Sequence, residues 1–449
     1  MALGRRKDER QEMWVATTDL PKSEGHVFFR KLNRVLAEAE FDSWVENLCR
    51  PYYAEEVGRP SIPPGVYFRM LLVGYFEGLD SQRGIAWRCG DSLSLREFLG
   101  VPLTHGTPDH SSLTRVRDRL PIEVHAAVFQ WALGVAAEKG LLKGKTVAVD
   151  STTLEANAAM KTIIRRDTGE DWKEYLRRLL AEREGVENPT DEELRRFDQK
   201  RKDKRVSNAE WVSKTDADSR ITKMKDGRTH LAYKAEHVID IETELVLAAP
   251  VHHADASDTD TLVDSVMEAQ LNLQEAGVDV EIEEVVADKG YHATNTIELA
   301  DSLNLRTYIP EPKRKDKRNW QDVPEEKRRA VVNNRRRTRR PKSKRLQRLR
   351  SERVERSFAH MCDSGGARRS WLHGIEKVQK RYLIAAMARN LGLLMRKLFA
   401  MGTAKGLQAA GGLVSLVCLA WIHLRFAFHR RGGTPKSSAA NLQRHAVAA

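Results

Sequence analysis

A chain of 449 residues is longer than one small hydrophobic core uses, and it leads us to expect two or three structural units. Apolar residues at 41% and charged residues at 31% describe a globular protein and exclude a fibrous or disordered one. The net charge of +13 is local: between Lys313 and Arg350 stand 18 Lys or Arg against 4 Asp or Glu, so this segment alone carries +14 and the remainder is close to neutral. Such a concentration reads as a contact for a polyanion, nucleic acid first, with a solvated linker as the alternative. The four cysteines have no C-x-x-C spacing and the 14 histidines form no zinc pattern with them, which fits a reduced compartment. No apolar stretch follows the opening MALGRRKDER, so no secretory signal is expected.

Along the chain, residues 1–142 read as an all-α domain. Phe28, Leu32, Val35 and Leu36 recur at helix spacing, as do Tyr67, Met70, Leu71 and Tyr75. Pro63 and Pro64 open one helix, Ser81 and Ser92 read as N-caps, and Thr107-Pro108-Asp109 precedes a short helix carrying Arg115, Arg117 and Arg119. That helix is either a groove-entering element or one member of a plain bundle with solvated arginines. At Lys145 the character changes to an α/β pattern, expected over residues 143–400. Val147-Ala148-Val149 is a short buried strand ending in Asp150, and Val285-Val286-Ala287 delivers Asp288 in the same way. Between them the spacing predicts a helical insertion over about 160–225, a hairpin from His230 to Val251 turning at Asp240 to Glu244, and a helix from about Asp258 to Leu273. Beyond Asp288 we expect a helix capped by Asn295 and a strand from Leu305 to Ile309. In the expected C-terminal unit, 401–449, Gly411 to Ile422 is about a dozen residues long, short of the ~18–20 that span a bilayer, so a buried helix and a flexible tail from Gly432 are expected.

Two aspartates at the ends of adjacent buried strands are suited to divalent cations, which take oxygen ligands and activate the attacking and leaving oxygens of a phosphodiester. A third carboxylate is expected from the helix around Val354, Phe358, Met361 and Cys362. Glu355 lies at the edge of that apolar face, with Glu352 as its rival about one turn away. Taken singly, each of these carboxylates has an ordinary solvated or capping reading. Two of them at strand ends, a third on a later helix and a basic segment just before it together favour phosphoryl transfer on nucleic acid.

Val149-Asp150-Ser151-Thr152 with Glu155-Ala156-Asn157-Ala158, Thr215-Asp216-Ala217-Asp218-Ser219-Arg220, Ala287-Asp288-Lys289-Gly290-Tyr291 and Val354-Glu355-Arg356-Ser357-Phe358-Ala359-His360 follow in order, continued by Gly365-Gly366-Ala367-Arg368-Arg369 and Asn390-Leu391-Gly392. In these motifs the chain resembles the DDE transposases of bacterial insertion sequences, in the IS-five-like group with a helical N-terminal domain. The resemblance implies an RNase H-like mixed-sheet core and a catalytic, metal-binding triad of Asp150, Asp288 and Glu355. It further implies two Mg2+ or Mn2+ ions, terminal inverted repeats and target DNA as double-stranded partners, and a homo-oligomeric synaptic complex. The expected location is the bacterial cytoplasm, on the nucleoid when bound, with no membrane. A Tyr-x2-Arg-x3-Glu-x6-Lys signature known in some relatives is absent, since Arg348, Ser351 and Cys362 stand at its other positions. The strand-processing pathway therefore stays open. Phosphate contacts are expected from Lys289, Arg353, Arg356, Arg335, Arg336, Arg337, Arg339, Arg340 and the run from Lys342 to Arg350, and sequence choice from Arg115, Arg117 or Arg119. A non-mobile nuclease on the same fold and a catalytically silent DNA-binding derivative are the alternative readings.

Overall fold

The computed structural model describes residues 14–16, 26–54, 58, 60–186, 188–202, 206–224, 227–313, 320 and 323–404. The chain divides into two compact units, 1–402 and 403–449. The expected helix at Gly411 to Ile422 and the tail from Gly432 lie outside the described residues. No single helix among the described residues is long and apolar enough to cross a membrane.

The first unit opens with helices α1 (Val27–Glu38), α2 (Phe41–Cys49), α3 (Pro64–Glu77), α4 (Gln82–Asp91), α5 (Leu93–Leu99), α6 (His110–Arg119) and α7 (Ile122–Glu138). Their starts follow local chemistry. Pro64 occupies the first turn of α3, and the side chains of Ser81, Ser92 and Asp109 accept hydrogen bonds from Gly84 N, Leu95 N and Ser112 N at the heads of α4, α5 and α6. Phe28, Leu32, Val35 and Leu36 form the buried stripe of α1, and the almost fully buried Arg69 ties α3 to α2 through both oxygens of Asp42.

Then come β1 (Thr146–Glu155), β2 (Ile163–Arg165), α8 (Trp172–Glu184), α9 (Asp191–Lys200), β3 (Trp211–Ser213), β4 (Arg220–Lys223), β5 (Thr229–Asp240), β6 (Val246–Ala248), β7 (Val251–His253), α10 (Asp258–Glu275), β8 (Glu284–Val286), α11 (Thr294–Ser302), β9 (Arg306–Tyr308), α12 (Glu325–Thr338), α13 (Pro341–Phe358) and α14 (Ile375–Phe399). The main sheet runs β4-β5-β1-β8-β9, with β6 and β7 also paired to β5. Strand β1 is antiparallel to β5 and parallel to β8, and β8 is parallel to β9, so the sheet is mixed. Side chains alternate across it. Asp150 and its cross-strand partner His237 meet α13 and α14, while Ser151 and its partner Glu236 meet α10. Helices thus cover both faces.

Two expectations need correction. The insertion is not purely helical: β2 and β3 pair antiparallel beneath α8 and α9, and β4 joins the main sheet. Three-residue strands paired across some fifty residues carry no period to read. The helix after Asp288 starts one residue earlier than expected, behind Ala293, with no side-chain cap, because Asn295 falls within its first turn and accepts instead from Lys327 Nζ.

The change at residue 142 is one of secondary structure and not of packing. Helix α14 lies along α7 and against α3, and also touches β6 and β7, so the N-terminal helices and the sheet share one body. On the α10 face, burial and then the nearby Glu236 push the carboxyl of Glu268 from its ordinary 4.5 up to about 7. Folding therefore favours its protonated form. Its stabilising contribution is complete below pH 4.5 and is lost as pH rises through 7, so Glu268→Gln is expected to raise stability at pH 8 by roughly 1–3 kcal/mol and to change nothing at pH 4. Urea midpoints at the two pH values check this.

Candidate active site

The buried triplet Val147, Ala148 and Val149 fixes β1 in the sheet, and the parallel register pairs Thr146 with Glu284 and Ala148 with Val286. Two residues on from Ala148 and Val286 stand Asp150, still in β1, and Asp288, just past the end of the neighbouring β8. Asp150 accepts from Ser151 N at 2.9 Å and from Arg350 Nη1 at 2.6 Å. Burial raises its pKa, the Arg350 guanidinium pulls it back, and the charge of Asp288 pushes it up again. Asp288 accepts from Gly290 N at 2.7 Å, capping the turn Lys289–Tyr291. Space at 290 is tight: a Cβ there would stand 3.0 Å from Asp288 Oδ1 and 3.4 Å from Asp258 Oδ2.

Asp258, at the head of α10, is therefore a third carboxylate beside this turn. It accepts from Ser151 Oγ at 2.9 Å and pairs with the buried Lys234 Nζ at 3.0 Å. Below it the fully buried Glu236 accepts from Tyr291 OH at 2.7 Å, Thr261 Oγ1 at 3.1 Å and Ser265 Oγ. This network fastens the Asp288 turn to β5 and α10 from beneath. Sequence reading took Asp258 only as the start of a helix. A carboxylate in a first helical turn has an ordinary dipole reading, and only the fold brings Ser151 to it.

Helix α13 crosses the sheet. Gln347 Nε2 donates to the carbonyls of Ala287 (3.0 Å) and Tyr308 (2.7 Å), Arg350 reaches Asp150, and Ser357 Oγ and Phe358 engage His237. Burial lowers the pKa of His237 well below its ordinary value, so a neutral ring bridges Ser357 Oγ and Tyr382 OH, each at 2.7 Å, and holds α13 to α14. Glu355 is exposed and accepts from Ser351 Oγ at 3.2 Å. Glu352 pairs with Arg356 at 2.6 Å. The two aspartates come together. Among the described residues, however, no three His, Cys, Asp or Glu side chains are gathered closely enough to hold a metal ion.

The basic residues separate into two groups. Arg335 is paired with Glu311, Arg337 donates to Thr307 O, Arg353 donates to Ile241 O, and Arg356 is shared between Glu244 and Glu352. These brace α12 and α13. Lys289, Arg336, Arg339 and Arg340 are exposed. On α6, Arg115 and Arg119 are exposed, Arg119 lying over the Tyr53 ring, whereas Arg117 is buried with its guanidinium over Trp371. The Asp216 to Arg220 motif orders the start of α14: Asp216 accepts from Tyr233 OH and Gly374 N, and Asp218 from Ile375 N.

Residues 17–119 match the model described as Transposase domain (DUF772), and residues 142–391 match the Transposase DDE domain. No curated protein and no solved structure matches the chain. The DDE match covers more than half of the 449 residues and contains both aspartates, the turn after Asp288 and the whole of α13. The chain therefore belongs to the transposases with a DDE domain, enzymes that act on DNA.

Proposed function

We propose that this transposase binds the ends of an insertion sequence as a homo-oligomer and cuts and joins double-stranded DNA, using Asp150, Asp288 and Glu355 on an RNase H-like core. The observation that carries the reading is that Asp150 and Asp288 each stand two residues beyond the last parallel pair, Ala148 with Val286, of neighbouring strands β1 and β8. A mixed sheet, antiparallel on one side of β1 and parallel on the other with helices on both faces, supports the RNase H-like assignment.

The donor set fits Mg2+ or Mn2+. Mg2+ is commonly held by one or two carboxylates, with waters and substrate phosphates completing the shell, and Asp150 and Asp288 are such a pair. Two bound ions would supply activation of the attacking hydroxyl and charge neutralisation at the leaving oxygen. The chain's own groups do the orienting. Ser151 N and Gly290 N each fix one carboxylate oxygen, and Asp258 and Tyr291 hold the supporting backbone. Exposed Lys289, Arg336, Arg339 and Arg340 are available to backbone phosphates, and Arg115 and Arg119 to the element end.

Helix geometry favours Glu355 over Glu352 as the third carboxylate. At about 100° per residue, the face defined by Gln347, Arg350, Val354 and Phe358 lies on the sheet. Arg353 leaves one flank toward Ile241 in the β5–β6 turn, whose N–H bonds to Thr146 O at the start of β1. Glu355 leaves the opposite flank, on the side of the aspartates, whereas Glu352 points away from the sheet. In a joining assay with a labelled element end and Mg2+, Glu355→Gln is expected to lower the rate on the order of 10²- to 10³-fold, and Glu352→Gln to stay within about threefold of wild type. The reverse order would move the third position to Glu352. Metal-dependent cleavage without joining would identify a nuclease, and binding without chemistry a silent derivative.

A further inference from the structure

The Asp150 carboxylate is already engaged. Arg350 Nη1 lies 2.6 Å from its Oδ2, with the two side chains only 13% and 28% exposed. The arginine is itself held: its Nε donates to Gln347 Oε1 at 3.3 Å, and the same amide donates to the carbonyls of Ala287 and Tyr308, next to Asp288 and at the end of β9. This differs from a surface ion pair, which gains little and is readily exchanged. One amide ties the end of β8, the end of β9 and the guanidinium together, so Arg350 has a defined position at the mouth of the site.

A guanidinium and a divalent cation on the same carboxylate oxygen repel each other and compete for the same lone pairs. Arginine, in turn, has a planar fork of donors that matches phosphate oxygens, which a lysine point charge does not. We propose that Arg350 is a phosphate-binding residue that waits on Asp150: without DNA it neutralises the carboxylate and keeps a divalent cation off it, and when a cation takes that oxygen the guanidinium passes to the phosphodiester. This rests on the reading of Asp150 as a metal ligand. The transfer needs only a side-chain rotation, because a phosphate drawn to a cation on these carboxylates arrives beside Arg350 while Gln347 keeps α13 in place. Loading of cation and loading of DNA are coupled as a result, each displacing the arginine for the other.

The test is Mn2+ titration of the full-length chain without DNA, followed by calorimetry, for wild type, Arg350→Gln, Arg350→Met, Arg350→Lys and Asp150→Asn, each checked for folding by thermal melting. Both neutral variants are expected to bind Mn2+ about tenfold more tightly than wild type, and Arg350→Lys to stay near wild type because the competing charge remains. The methionine variant keeps the aliphatic stem and guards against loss of folding in the glutamine variant. With a DNA duplex carrying an element end and Mn2+ present, the neutral variants are expected to lower the slope of log affinity against log salt by about one. Equal Mn2+ affinity of wild type and the neutral variants, or an unchanged salt slope, would overturn the proposal. Unchanged Mn2+ affinity in Asp150→Asn would instead overturn Asp150 as a metal ligand, so the two failures are told apart.

Discussion

Asparagine in place of Asp150 is expected to remove strand cleavage and joining by at least roughly 10³-fold while leaving the fold intact. The substitution keeps the shape of the side chain and its hydrogen bond from Ser151 N, and removes the charge that a divalent cation needs. Its effect on stability is small, because two opposing terms are lost together: the cost of burying the carboxylate near Asp288, and the attraction of Arg350. Single-turnover cleavage of a labelled end, beside a melting curve and a binding isotherm for the same duplex, separates these quantities. Asp288→Asn should behave alike, since its partner Gly290 N accepts the same replacement. A variant that melts normally and still cuts at about a tenth of the wild-type rate would take these carboxylates out of the chemistry.

The largest loss of stability is expected from Asp240→Ala, at about 3–5 kcal/mol. Asp240 is fully buried and accepts from Lys143 N (2.8 Å), Gly144 N (3.1 Å), Glu242 N (2.9 Å) and Thr243 Oγ1 (2.8 Å). One carboxylate thus closes the β5–β6 turn and also anchors the residues that lead into β1. Its deletion strips partners from three backbone N–H groups at once. Asp240→Asn, which retains an acceptor oxygen, should cost about half as much. Urea unfolding followed by tryptophan fluorescence measures both, and a loss below about 1 kcal/mol for the alanine variant would show that these groups find other partners. Because Asp240 pairs with Val147, three residues before Asp150, a surviving alanine variant should also lose cleavage.

How much of this was legible in the sequence depends on the range of the interaction. Val147-Ala148-Val149-Asp150 and Val285-Val286-Ala287-Asp288 declare themselves because a short apolar run followed by a carboxylate is a local pattern, and the parallel pairing brings their ends together. The caps at Ser81 and Ser92 were readable for the same reason, each being satisfied within three residues, whereas Asp109, read as part of a turn, caps α6 in the same way. Arg350 stood in view only as one charge in a basic run. That it turns inward to Asp150, 200 residues earlier, depends on how α13 crosses the sheet. Arg117 was grouped with Arg115 and Arg119 by spacing, yet Trp371, which covers its guanidinium, comes from the far end of the DDE region. The basic segment itself divides into arginines spent on Glu311, Asp150 and a backbone carbonyl and arginines left at the surface, a division set by tertiary neighbours and invisible in a charge count.

The placement of α14 bears on how the molecule is made. Its partners α3 and α7 are complete by Glu138, but Ile375 is the first residue of α14, so at about 5–20 residues per second the ribosome leaves the N-terminal helices without that neighbour for roughly 10–50 s. During this time the surface of α7 that α14 will cover is open to solvent or to a chaperone. The N-terminal helices and the sheet therefore complete their shared packing together, only once α14 has been made, and the helices that precede Glu138 are not finished as a separate module ahead of the sheet.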